Sequence, residues 1–63
     1  MRIEDLKAGM NIKLDEGFTC VKAGLHKIHQ DTRGYFFLCD QGKHYLDGQE
    51  DEDGNLVGVE TAQ

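Results

Sequence analysis

The chain contains no serine, no proline and no tryptophan among its 63 residues. Without serine, Ser-His-Asp catalysis is excluded. No Cys-x-x-Cys pair occurs, which excludes a thioredoxin-like motif. Gly42-Lys43 is followed by His44 rather than Ser or Thr, so there is no phosphate-cradling loop of the nucleotide-binding kind. No segment approaches the ~20 apolar residues that a membrane span requires. The opening MRIEDLKAGM lacks the apolar stretch of a signal peptide. Two cysteines without a secretion signal fit a reducing compartment, and a cytoplasmic location is expected. No catalytic or cofactor motif remains, so the expectation is a protein that is not an enzyme and has no cofactor.

Basic residues are scarce in the C-terminal third. Six of the seven lie in residues 1–42, where six acids balance them. Residues 43–63 carry Lys43 alone against Asp47, Glu50, Asp51, Glu52, Asp53 and Glu60, so the whole net charge of −5 sits there. Such a region repels phosphate backbones and attracts basic surfaces or cations. Nucleic acid is therefore disfavoured as a partner.

Glycine, by contrast, is abundant. Eight glycines divide the chain into pieces too short for an ordinary helix of about 11–12 residues but long enough for strands of about 5–6. Met10 to Leu14 alternates apolar and polar residues at period two, the pattern of a strand with one buried face. Phe18 to Val21, Leu25 to Gln30, Tyr35 to Cys39, Lys43 to Leu46 and Leu56 to Val59 read as further short strands. Asp31 to Gly34 and Asp40 to Gly42 read as tight turns, and Asp47 to Asn55 as a polar loop. The expected architecture is one all-β domain over residues 1–63, with 60–63 as a loose tail. Its five or six short antiparallel strands close most economically into a small barrel, because closure hides strand edges. An open meander that buries one face in a homodimer is the alternative.

The run Gly24 to Leu46, G-L-H-K-I-H-Q-D-T-R-G-Y-F-F-L-C-D-Q-G-K-H-Y-L, resembles the strand–turn–strand core of small Src-homology-3-like (SH3-like) barrel proteins of bacteria and their phages. Leu6 to Leu14 is similar to the first strand of such barrels. The resemblance implies a barrel that binds something, and a phage or prophage protein that modulates a host protein. It carries no reaction. Members that take proline-rich peptides use an aromatic groove, which the lack of tryptophan disfavours here.

Metal ligands form the first candidate constellation. Cys20, His26, His29, Cys39 and His44 supply the donor types that zinc takes. Their spacing weighs against zinc. Both cysteines are solitary, and His26 and His29 stand three apart, on opposite faces of a strand. Oxidation joins Cys20 to Cys39 only if the fold brings them together, which the sequence does not fix. A second candidate is the segment Gln49 to Glu60, which is similar to an EF-hand calcium loop. Asp51, Asp53 and Glu60 fall on ligand positions and Gly54 on the turn, but Gln49 occupies the place of the first aspartate. Cys39, with His44 five residues later across a turn, is a third candidate as a thiol–imidazole pair, but Asp40 beside Cys39 raises a thiol pKa rather than lowering it, and core packing explains Cys39 better.

The aromatic residues Phe18, Tyr35, Phe36, Phe37 and Tyr45 suit either a core or a docking surface. The leading expectation is a protein-interaction module. Tyr35, Phe37 and Tyr45 would supply apolar contact to a protein partner, and Glu50, Asp51, Glu52 and Asp53 steering charge. A zinc- or calcium-binding protein and a homo-oligomer subunit are the alternatives.

Overall fold

The computed structural model describes residues 1–61. A single 3-10 turn, Ile3–Asp5, precedes six strands: β1 (Asn11–Leu14), β2 (Gly24–Lys27), β3 (His29–Asp31), β4 (Gly34–Cys39), β5 (Gly42–Tyr45) and β6 (Val59–Thr61). They form two antiparallel three-stranded sheets, ordered β2-β1-β6 and β3-β4-β5. The all-β expectation holds. The barrel expectation is corrected, because among the described residues no ladder joins one sheet to the other. No helix is long and apolar enough to cross a membrane.

β1 lies at the centre of its sheet because its alternation buries one side. Ile12 and Leu14 are buried, while Asn11 and Lys13 are exposed. Lys13 faces Glu60 of β6 across the ladder, at 3.9 Å. The segment expected as one strand from Leu25 to Gln30 is broken at Ile28. There the Ile28 N–H donates to the Met10 carbonyl, and the Gly9 N–H donates to the Ile28 carbonyl, both at 2.8 Å. These bonds hold the chain at a corner, so β2 joins one sheet and β3 the other. Ile28 drops fully into the core at the bend.

The core lies between the sheets. Ile12, Leu14, Ile28, Phe37 and Leu46 are fully buried, with Leu6, Leu56 and Val59 packed around them. β4 runs through the middle of its sheet. Its inner side carries Tyr35, Phe37 and Cys39 against this core. Its outer side carries Phe36, which its own sheet covers: His29 stacks on it at 5.4 Å, Tyr45 lies tilted at 5.3 Å and the Lys43 ammonium sits 4.7 Å from the ring. Leu38, on the same outer side, is exposed.

Two expected strands are placed differently. Phe18 to Val21 forms no ladder; it crosses the molecule as an irregular segment. Its half-buried Phe18 packs edge-on against Phe37 and His44. The last strand begins later than expected, because Val57-Gly58 is a turn and β6 starts at Val59. Gly58 makes that turn at φ +79°, and its carbonyl accepts the Asp15 N–H. A Cβ at Gly58 would lie 2.8 Å from Phe18 Cε2, so only glycine lets the ring seat there. Glu60 and Thr61, expected in a loose tail, belong to β6; residues 62 and 63 lie outside the described residues.

The β3–β4 hairpin carries a charged clasp on its outer side. Asp31 accepts hydrogen bonds from the Tyr45 hydroxyl, from Lys43 Nζ at 2.9 Å and from the Arg33 N–H at 2.8 Å. The Tyr45 and Lys43 bonds, chiefly, hold the Asp31 carboxyl down at about 2. A depressed carboxylate contributes stability that is present above its unfolded value of ~3.9 and is lost as pH falls through the folded one. Asp31→Asn is therefore expected to destabilise the protein at pH 6, and the difference from wild type to close between pH ~4 and ~2. Urea midpoints measured across that range check it.

Candidate metal centre

Three of the five sequence-nominated zinc ligands converge. The donor atoms of Cys20, Cys39 and His44 all lie within 4.8 Å of one another, and all three side chains are half-buried. Each comes from a different piece of the fold. Cys39 ends β4 on its inner side. His44 is on β5, opposite Phe37 in the register Phe37↔His44. Side chains diagonal to each other on one face of an antiparallel pair are neighbours, which brings His44 beside Cys39. Cys20 comes from the irregular segment after β1. The Asp40 N–H donates to the Cys20 carbonyl at 3.1 Å and ties this segment to the β4–β5 turn.

The imidazole is held on two sides. Its ring stacks on Phe37 at 4.7 Å and 13°, and Phe18 meets it edge-on at 5.4 Å and 76°. Phe18 also meets Phe37 edge-on at 5.5 Å. This packing sets the ring plane and leaves Nδ1 3.7 Å from Cys20 Sγ. A tetrahedron with Zn–S bonds of ~2.3 Å and Zn–N bonds of ~2.0 Å has edges of ~3.5–3.8 Å. The Cys20–His44 separation already matches such an edge.

The thiols interact with each other. The Cys20 pKa is pushed up from its ordinary value, first by the hydrogen bond to Cys39, then by burial, then by the charge of Cys39. A cation placed between the sulfurs reverses that logic, because it favours both thiolates at once. The three donors line a cleft of about 540 Å³ whose other walls include Phe18, Lys43 and Val57. One side of the cluster therefore faces open space.

The remaining candidates lie elsewhere. His26 Nε2 lies 2.7 Å from the Lys22 carbonyl, and its ring is tilted toward Phe37. His29 stacks on Phe36, on the outer side of the second sheet. They lie on different strands of different sheets, His26 on β2 and His29 on β3, because the strand expected over Leu25 to Gln30 is broken at Ile28. The calcium candidates do not join this cluster. Among the described residues the one cluster of potential ligands is Cys20, Cys39 and His44, without Asp51, Asp53 or Glu60. The Asp51 carboxylate instead accepts the backbone N–H groups of Asp53 and Asn55, at 2.9 and 3.0 Å. Glu60 pairs with Lys13 on the sheet.

The aromatic docking face is corrected as well. Phe37 has no exposed surface and stands at the centre of the core. Tyr35 packs on the same inner side. Tyr45 is paired with Phe36 and so lies on the opposite face, its ring beneath the Arg33 guanidinium. Alternation along the strand makes a shared surface of these three impossible. Glu50, Asp51, Glu52 and Asp53 are all exposed.

Comparison with protein families, with curated proteins and with solved structures finds no match for this chain.

Proposed function

We propose that this protein is a small, non-enzymatic metal-binding module that takes one zinc ion through Cys20, Cys39 and His44. The observation that carries the reading is the convergence of two thiols and an imidazole, from three separate segments, within 4.8 Å of one another, with Cys20 and His44 at the 3.7 Å of a tetrahedral edge. Two thiolates and an imidazole suit a soft or borderline ion, and two thiolates balance the charge of a divalent one. The net charge of −5 adds a long-range attraction for cations. Binding would fasten the ladder-free Phe18–Val21 segment to the second sheet, so metal affinity would appear as folding stability. The cleft side leaves room for a fourth ligand, such as water or a donor from a partner. Metal analysis of protein purified under reducing conditions tests the reading, with one zinc per chain expected. A chain that stays metal-free after zinc addition and desalting contradicts it.

A second reading rests on the acidic loop: a module on an SH3-like frame, of the phage or prophage kind, docking to a basic protein surface. Its support is that the loop's four carboxylates are exposed and that none takes part in the ion pairs among the described residues. The loop is also well braced. Arg2 donates to the Asp53 carbonyl at 2.8 Å, and Glu50 pairs with Leu56 through a bridge. Reversing Glu50 to Asp53 to lysine is expected to slow association with a lysine-rich peptide about tenfold at low salt and to flatten its salt dependence. Reversing Glu4 and Asp5 should do neither. Equal effects at the two places would contradict the docking role.

A further inference from the structure

We infer that Cys20 and Cys39 are the site of a reversible intramolecular disulfide, formed by exchange with a small disulfide oxidant that enters the cleft. Both cysteines are free, both are half-buried, and both line the open cleft. Their sulfurs are already within 4.8 Å. The backbones that carry them are joined by the Asp40 N–H to Cys20 carbonyl bond, so the two attachment points are fixed close together. Cys20 sits in a segment with no ladder bonds, so a small shift of its side chain and backbone toward the ~2.05 Å of a disulfide breaks no strand pairing. Cys39 stands at the last position of β4, where strand pairing ends at the turn.

The exchange runs in two displacements. The Cys39 thiolate attacks one sulfur of the oxidant; the oxidant's S–S bond breaks and one small thiolate leaves. The Cys20 thiolate then attacks the Cys39 sulfur of the mixed disulfide and expels the second small thiolate. The two protons given up by the cysteines end on the two departing thiolates. The protein loses two electrons and the oxidant gains two.

The disulfide itself stands on geometry alone. Its consequence for the metal rests on the zinc reading. Oxidation consumes two of the three donors, and His44 alone does not hold the ion, so the disulfide and the bound metal exclude each other. Oxidation would release zinc, and bound zinc would slow oxidation.

Oxidised glutathione is the probe. The metal-free protein is treated with it, denatured, and alkylated with iodoacetamide, and its intact mass is read. The expected result is a monomer with no alkylated cysteine and a mass lower by ~2 Da, restored to two alkylations by dithiothreitol. In Cys39→Ser the exchange should stop at a mixed disulfide on Cys20. Two alkylated cysteines in the wild type, a stable wild-type mixed disulfide, or a disulfide-linked dimer would each overturn the inference. A parallel sample loaded with zinc separates the two readings. If the disulfide forms but the reduced chain never retains zinc, the metal reading falls and the disulfide stands. If the reduced chain retains zinc but glutathione leaves both thiols of the metal-free chain open to alkylation, the disulfide falls and the metal reading stands.

Discussion

On the zinc reading, replacing Cys39 with serine should lower zinc affinity by ~10²–10³-fold. Structural zinc sites bind with ~10–16 kcal/mol in total, so each of about four ligands accounts for ~2.5–4 kcal/mol. Serine keeps the size of the side chain at this half-buried strand end but removes the soft donor. The fold should therefore survive while the site is lost. Cys20→Ser and His44→Asn should show losses of the same order. His29→Asn is the control: its ring lies against Phe36 on the far side of the sheet, and zinc affinity should stay within about twofold. Competition titration against a chromophoric chelator under reducing conditions reads all four variants. Equal affinities in wild type and Cys39→Ser would remove Cys39 from the site.

The second large effect falls on stability. Phe37 is fully buried at the centre of the core and is also the platform for the His44 ring. Phe37→Ala removes a buried aromatic and leaves a cavity, which typically costs ~3–5 kcal/mol. A chain of 63 residues has a total stability of only ~3–9 kcal/mol at the usual ~0.05–0.15 kcal/mol per residue. The variant should lose from about a third to all of that stability, read as a large fall in the urea midpoint by circular dichroism. Leu38→Ala, one position along the same strand, is the comparison. Leu38 is 57% exposed, and its loss should cost less than ~0.5 kcal/mol. Saturating zinc should recover part of the folded signal in Phe37→Ala, because a ligand that binds only the folded chain shifts the equilibrium toward it.

Much of the second sheet was legible in the sequence. The turns at Asp31 to Gly34 and Asp40 to Gly42 set the pairing of β3, β4 and β5, and the period-two pattern of Met10 to Leu14 marked β1. The partner of Cys39 depended on one residue of the second turn: with Asp40 to Gly42 as the connection, Cys39 would face Lys43. A two-residue connection at Asp40-Gln41 pairs Cys39 with Gly42, and strand alternation then puts His44 on the inner face. It also pairs Tyr45 with Phe36, which separates Tyr45 from Phe37. Cys20 could not be placed in this way. Phe18 to Val21 has the composition of a strand, but its order comes from Phe18 packing on Phe37 and His44, contacts made with residues far along the chain. The bend at Ile28 was hidden for a similar reason. Nothing in Leu25 to Gln30 interrupts the strand pattern; the corner is imposed by Gly9 and Met10 bonding to Ile28 from outside the segment. Ligand spacing along the chain was a poor guide, because the three donors are assembled by tertiary contacts.

The central claim is that Cys20, Cys39 and His44 act together on one metal ion. Its most direct test is the absorption spectrum of the reduced protein titrated with cobalt(II), a spectroscopic substitute for zinc. The account predicts a sulfur-to-metal charge-transfer band that saturates at one equivalent, with intense visible bands of tetrahedral geometry, both abolished when zinc is added. Weak octahedral bands without charge transfer, unchanged by zinc, would contradict it.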